Sequence, residues 1–389
     1  MSTPDFAFLY DPSLAEYELS GDHPFKPVRL ELTRTLLEAT NLLTEAHYAA
    51  PEPISEEKLT WLHNPDYIRA VKRVSAGKDV PDAFGYGLGT ADNPVFPGMH
   101  EAVLGVCAAT VTAVDLVASG RVKRAANLSG GLHHALAGKA SGFCVYSDLG
   151  VATEHAVREY GFRVAYVDLD AHHGDGVQWL FYERPDVLTI SLHESGRYLF
   201  PGTGHTYEVG KGKGRGRSVN LPLEPYTEDA SYLEAVESVL PTYLGWFKPD
   251  LIILQAGADM HALDPLADLS ISVQAQAESY RRVVELADSY CGGRLVVTGG
   301  GGYDPYRTVP RSWASLWAAV TNQALPDKIP KSWRSHWQVQ SPVGLPRTIS
   351  DDLTTWEPKP RRADIESHNR AVIRRLHSTH GPIWQEELG

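Results

Sequence analysis

Residues 163–176 read RVAYVDLDAHHGDG, and this stretch decides the fold class. Val164, Ala165, Tyr166, Val167 and Leu169 make a β-rich run of strand length, and Gly174, Asp175 and Gly176 then turn the chain toward a helix expected over Val177 to Tyr182. A buried strand thus ends in a burst of carboxylates and imidazoles. Side chains two apart on an extended backbone point the same way, so Asp168, Asp170 and His172 converge while His173 points elsewhere. Asp170 and His172 are candidate metal ligands, since zinc accepts both donor types and an open site needs three protein ligands. An isolated D-x-H serves equally as a polar loop. Here the density of ionisable groups behind a buried run favours a metal, because buried charge needs a partner.

Outward from this stretch the same pattern recurs. Strands are expected at Phe6 to Tyr10, Ala125 to Leu128, Val187 to Leu192, Leu251 to Leu254 and Leu295 to Thr298. Helices are expected at Arg29 to Leu43, Glu56 to Leu62, Asp66 to Ser75, Glu101 to Ala118, Asp148 to Tyr160, Glu228 to Trp246 and Val273 to Tyr290. Alternation of this kind predicts a three-layer α/β/α fold around a mainly parallel sheet. Ligands bind beyond the carboxyl ends of such strands, where the polar residues of this chain collect. Residues 1–325 read as the catalytic domain. From Pro326 the prolines, Trp333, Trp337, Trp356 and the basic pairs Arg361-Arg362 and Arg374-Arg375 suggest a C-terminal extension, 326–389, packed on the same domain.

Of 389 residues 43% are hydrophobic, enough for a sizeable core, and the net charge is −12. With a pI near 5.7 this argues against a nucleic-acid partner and suits neutral or cationic ligands. Cys107, Cys144 and Cys291 form no C-x-x-C pair, as expected of reduced thiols. No eighteen apolar residues run together and MSTPDFAFLYD does not read as a leader, so the expectation is a cytoplasmic protein without a membrane partner. The run Lys211 to Arg217 lacks the order of a phosphate-binding loop and reads as a solvated, flexible segment.

The third metal ligand is best sought at Asp259, which ends the apolar run LIILQAGAD; Asp264 is the rival further into the loop. Ser129-Gly-Gly-Leu-His133-His134 ends another strand, and a glycine-preceded turn lets both imidazoles face one pocket. A tandem pair beside a metal suits general acid-base work near neutral pH. Each needs an orienting acceptor, a task that falls to Asp168 and Asp175. Gly299 to Gly302 let backbone pass close to a ligand, which counts Gly301 among the substrate-binding residues. Tyr303 follows, and its phenol suits an oxyanion forming on the substrate.

The ordered set SGGLHHA, GFC, VDLDAHHGDG, FPGTG, GAD and GGGGY resembles the histone deacetylase family, and GADMHALDPL looks most like its bacterial acetoin-utilisation branch. The likeness runs from about Asp22 to Tyr303. It implies an arginase-like α/β fold and a metal-dependent lysine deacetylase. Asp170, His172 and Asp259 would bind zinc or ferrous iron, with His133 and His134 as the acid-base pair and Tyr303 on the amide carbonyl. By the same resemblance Phe143 and Phe200 would wall a tunnel lined by Gly142 and Leu266, with Asp92 at its rim. A structural potassium ion would be held by Asp168, Ser191 and Leu192 with backbone oxygens of Asp170 and His172. Arg29 matches a family arginine beside an exit cavity for acetate.

Two departures stand out. Met260 and His261 replace small residues after the metal aspartate of eukaryotic class I enzymes, which bears on rim specificity. Arg217 stands where a second monovalent-ion site has an aromatic, although the ligand there is a backbone oxygen. The substrate expected is an acetylated protein, peptide or small amine. The alternatives are an acetylpolyamine amidohydrolase, a dimanganese ureohydrolase, for which the second D-x-D is missing around Asp259, and a non-catalytic acyl-lysine binder.

Overall fold

The computed structural model describes residues 5–388; residues 1–4 and 389, which the division at 325/326 includes, lie outside the described residues. Eight strands are present among them: β1 (Phe6–Leu9), β2 (Tyr48–Ala49), β3 (Arg124–Asn127), β4 (Val164–Asp168), β5 (Val187–Glu194), β6 (Ser218–Leu223), β7 (Leu251–Gln255) and β8 (Leu295–Thr298). They form one sheet in the order β2-β1-β3-β8-β7-β4-β5-β6, and every pairing is parallel.

The reason for the unbroken apolar runs is visible in where alternate side chains go. Ala165 and Val167 of β4 join the apolar cluster on one face of the sheet, whereas Val164 and Tyr166 join the cluster on the other. A strand buried on both faces has no polar side to show, so its sequence does not alternate. Helices Pro65–Ser75, Met99–Ala118 and Asp148–Tyr160 cover the second face; Val28–Ala39, Asp229–Phe247, Val273–Cys291 and Val309–Thr321 cover the first. Met99–Ala118 is the one helix among the described residues long and apolar enough to cross a bilayer, and 67% of that window is buried inside the protein.

Several elements differ from the sequence reading. β6 carries Pro222, which an interior strand excludes, and it is tolerated because β6 is the last strand of the sheet. β2 is two residues long, too short for any periodic signal. The helix Val309–Thr321 starts with Pro310 in its first turn, where the missing N–H costs nothing. The run Lys211 to Arg217 is not solvated at its end: Gly212–Gly214 is a 3-10 turn and Arg217 is buried, its guanidinium 4.2 Å from the centre of the Trp384 ring.

Trp384 belongs to the long C-terminal helix Arg362–Leu388. Trp333, Trp337 and Trp384 all enter the first apolar cluster, and Trp333 and Trp337 donate their indole N–H groups to Thr35 Oγ1, each at 3.0 Å. Truncating a buried ring of this size typically costs about 3–5 kcal/mol.

Candidate active site

Five adjacent strands, β3, β8, β7, β4 and β5, send their carboxyl ends to one place. From β4 come Asp170 and His172, and from β7 comes Asp259. The candidate ligand atoms of these three lie within 4.8 Å of one another, and all three residues are buried. His172 Nδ1 lies 2.9 Å from Asp259 Oδ2 and 3.3 Å from Asp170 Oδ1. Asp168, Asp170 and Asp259 are each 0% exposed. Three desolvated carboxylates around few imidazoles are costly without a cation, and the donor set fits a divalent one.

The electrostatics follow from that crowding. Burial pushes Asp259 up to about 6, and the Asp170 charge adds to the shift. Burial alone would lower His172, but Asp170 and Asp259 outweigh it and raise its pKa. Asp264, the rival ligand, is raised to about 8 by burial and then by the Asp259 charge. Asp264 is not in the three-residue cluster. Its Oδ2 accepts the backbone N–H of Tyr303 at 2.8 Å and its Oδ1 that of Leu266 at 2.9 Å, so it braces two loops.

His133 and His134 sit on the turn after β3 with ring centroids 4.0 Å apart. His133 Nδ1 donates to Asp168 Oδ2 at 2.9 Å, and His134 Nδ1 donates to Asp175 Oδ1 at 2.7 Å. Each ring therefore keeps Nε2 for other partners, and His133 Nε2 reaches to 3.8 Å from Asp170 Oδ1. His173 points away as the strand period requires, toward Thr203 and Gln178.

Tyr303 is edge-on to Phe143 at 5.7 Å and to His172 at 6.3 Å between ring centres. Its hydroxyl bonds to no group among the described residues. Burial, then the Asp259 and Asp170 charges, push its pKa well up, so it is a neutral O–H donor. Gly301 lies against the Asp170 and Asp259 carboxylates: its N–H donates to Asp170 Oδ2 at 2.7 Å, and a Cβ there would collide with the Asp259 carboxylate.

Gly142 adopts φ 49° with its missing Cβ directed at the rings of His134 and Phe200. Phe200 is 44% exposed and meets His134 edge-on at 4.9 Å, while Phe143 is half-buried beside His23. Leu266 is half-buried and Asp92 exposed. Ser191 and Leu192 lie on β5, with Ser191 the register partner of Asp168. Arg29 is buried, donates to Gly302 O at 3.0 Å and stacks its guanidinium on Phe25. Met260 and His261, expected to bear on the rim, are 1% and 0% exposed and turn inward instead.

Some contributors were not singled out from sequence. Asp148 is fully buried; it accepts from Thr110 Oγ1 at 2.6 Å and from the N–H groups of Leu132 and Gly131, which sets the turn that carries both histidines. A carboxylate in the first turn of a helix reads as a dipole partner, and that masked it. Gln255 donates to Gly131 O at 3.0 Å and Tyr166 to Asp168 Oδ2 at 2.5 Å.

Residues 23–320 match the family described as histone deacetylase domain. The chain is 46% identical over 370 residues to the acetoin utilization protein AcuC of Bacillus subtilis (strain 168), covering 95% of this chain and 96% of that one. It is 39% identical over 382 residues to AcuC of Staphylococcus aureus (strain MSSA476), covering 98% and 97%. Among solved structures, an HDAC homolog complexed with SAHA aligns with a TM-score of 0.84 and 30% identity, over 95% of this chain and all of that one. By its sequence, its parallel sheet and its fold relatives, the chain belongs to the histone deacetylase family of hydrolases.

Proposed function

We propose that the protein hydrolyses the acetyl amide of a lysine side chain in a protein or peptide, with a divalent cation, zinc or ferrous iron, held by Asp170, His172 and Asp259. The observation that carries the reading is the three-ligand cluster lying beside two imidazoles that each have their own carboxylate. A cation in such a site polarises a carbonyl oxygen and makes water more acidic.

The residues of the chain divide the remaining work. With Nδ1 committed to Asp175, His134 offers Nε2 to take a proton from the attacking water and to return one to the departing lysine amine. His133, tied to Asp168, adds positive charge beside the developing oxyanion. The Tyr303 hydroxyl donates to the carbonyl oxygen as its charge grows. Phe143 and Phe200, with Gly142, Leu266 and Gly301, would enclose the acyl-lysine chain, and Asp92 would hold substrate backbone at the rim. Asp168, Ser191 and Leu192, with backbone oxygens of Asp170 and His172, would hold a potassium ion beneath the site.

The test is a paired measurement on purified protein. Metal analysis is expected to give one divalent ion per chain, and acetyl-lysine peptides are expected to be turned over faster than acetylpolyamines. Two manganese ions per chain, or turnover of acetylpolyamines alone, would overturn the reading.

A further inference from the structure

The C-terminal extension sends one carboxylate to the back of the site. The side chain of Asp351 is 8% exposed, and both of its oxygens are engaged. Oδ1 accepts from Arg311 Nη1 at 2.7 Å; Oδ2 accepts from His261 Nε2 and from the backbone N–H of Val273, each at 2.9 Å. Gln274 grips the backbone of Asp351 from both sides, donating to its carbonyl at 3.0 Å and accepting its N–H at 2.9 Å.

The identity of the partners gives this contact its meaning. His261 lies two residues beyond Asp259 and is fully buried. Its Nδ1 accepts the N–H of Leu263 at 3.1 Å, so Nε2 carries the ring hydrogen that Asp351 receives. Arg311 lies on Val309–Thr321, the helix that follows Tyr303 after the turn at 304–308. Between the two, Asp264 accepts the N–H of Tyr303. One carboxylate of the extension therefore ties the loop of the third ligand to the helix that anchors the tyrosine loop.

We propose that Asp351 is a positioning residue: through His261 and Arg311 it fixes the Asp259 loop against the Tyr303 loop and so sets both metal affinity and the placement of the phenol. The inference rests on Asp259 being a metal ligand. A partner bonded directly to a ligand typically changes metal affinity or activity about 10–100-fold when removed, and Asp351 acts one residue further out, through His261.

The experiment is Asp351→Asn in the full chain, which keeps the shape and removes the charge. Zinc affinity is read by competition with a chromophoric chelator, and kcat and KM are measured on an acetyl-lysine peptide. Zinc affinity is expected to weaken by about tenfold or more, and kcat to fall by a similar factor with KM within about threefold. Should that variant not fold, His261→Leu cuts the same link at similar volume, with the same expected losses. A folded variant that melts earlier but keeps zinc affinity and kcat within about threefold of the parent would make Asp351 merely structural and overturn the proposal. A parent protein that takes no zinc from the chelator overturns the metal assignment itself, and this inference with it.

Discussion

His133 and His134 are chain neighbours with rings 4.0 Å apart, yet their pKa values are driven in opposite directions. Burial lowers both. For His133 the Asp168 and Asp170 charges outweigh it and hold the pKa up to about 9, whereas for His134 burial and the neighbouring His133 charge bring it down to about 4. Groups whose environments separate their pKa values take different roles, and in the proposed reaction the neutral ring, His134, would be the base. A cation on Asp170 weakens the pull on His133, so metal loading is expected to lower that value.

The Asp175 carboxylate is then needed when His134 becomes charged. Asp175→Asn keeps an acceptor for Nδ1 and removes the charge, so kcat is expected to fall about 10–100-fold with metal content unchanged. Kinetics and metal analysis on the same preparation check it. A variant within about threefold of the parent would show that the imidazolium needs no counter-charge.

Asp259 supplies one oxygen toward the cluster and another to the N–H of Ala171, 2.9 Å away. Asp259→Ala is expected to lose metal and activity together while the sheet, held by its own pairings, keeps its circular dichroism. Stoichiometric zinc bound with parental affinity would remove Asp259 from the ligand set.

Much of this was legible from residues 163–176 because a doubly buried strand has an unmistakable composition and its period fixes which side chains converge. Asp170 and His172 follow from that period, Asp259 from its place at the end of the apolar run LIILQAGAD, and the paired histidines from the glycine-preceded turn that carries them. What escaped has a common physical cause. Asp148, Gln255 and Asp351 act through contacts between segments far apart in the chain, and nothing local marks them. Met260 and His261 bear on rim specificity as departures from the eukaryotic class I pattern, yet both side chains are buried. Edge strand β6 escaped because Pro222 contradicts a strand in every setting except the edge it occupies.

Tyr303 offers a hydroxyl with no partner among the described residues, a hydrogen-bond donor free for substrate. Tyr303→Phe is expected to lower kcat about 10²–10³-fold with KM little changed, since the bond strengthens as charge develops on the carbonyl oxygen. Metal content should stay parental. A variant within about a factor of three of the parent, under about 1 kcal/mol, would exclude the phenol as a transition-state donor.

Acid stability gives a test away from the Asp170–His172–Asp259 cluster. His63 is 1% exposed; its Nδ1–H donates to Leu136 O at 3.0 Å and its Nε2 accepts the N–H of Ser147 at 3.0 Å, so it braces the loop that carries Gly142 and Phe143. Burial lowers its pKa to about 4 against 6.5 for the free side chain. The unfolded chain therefore binds the proton more readily than the folded one between these values. The stabilisation is fully present above pH 6.5 and is lost as pH falls toward 4, by up to about 3 kcal/mol. His63→Gln supplies a donor and an acceptor but does not titrate. Denaturation of metal-stripped parent and variant is expected to show the parent ahead at pH 7 and its advantage shrinking through this window. Parallel curves from pH 7 to 4.5 would mean that His63 is not held neutral in the folded protein.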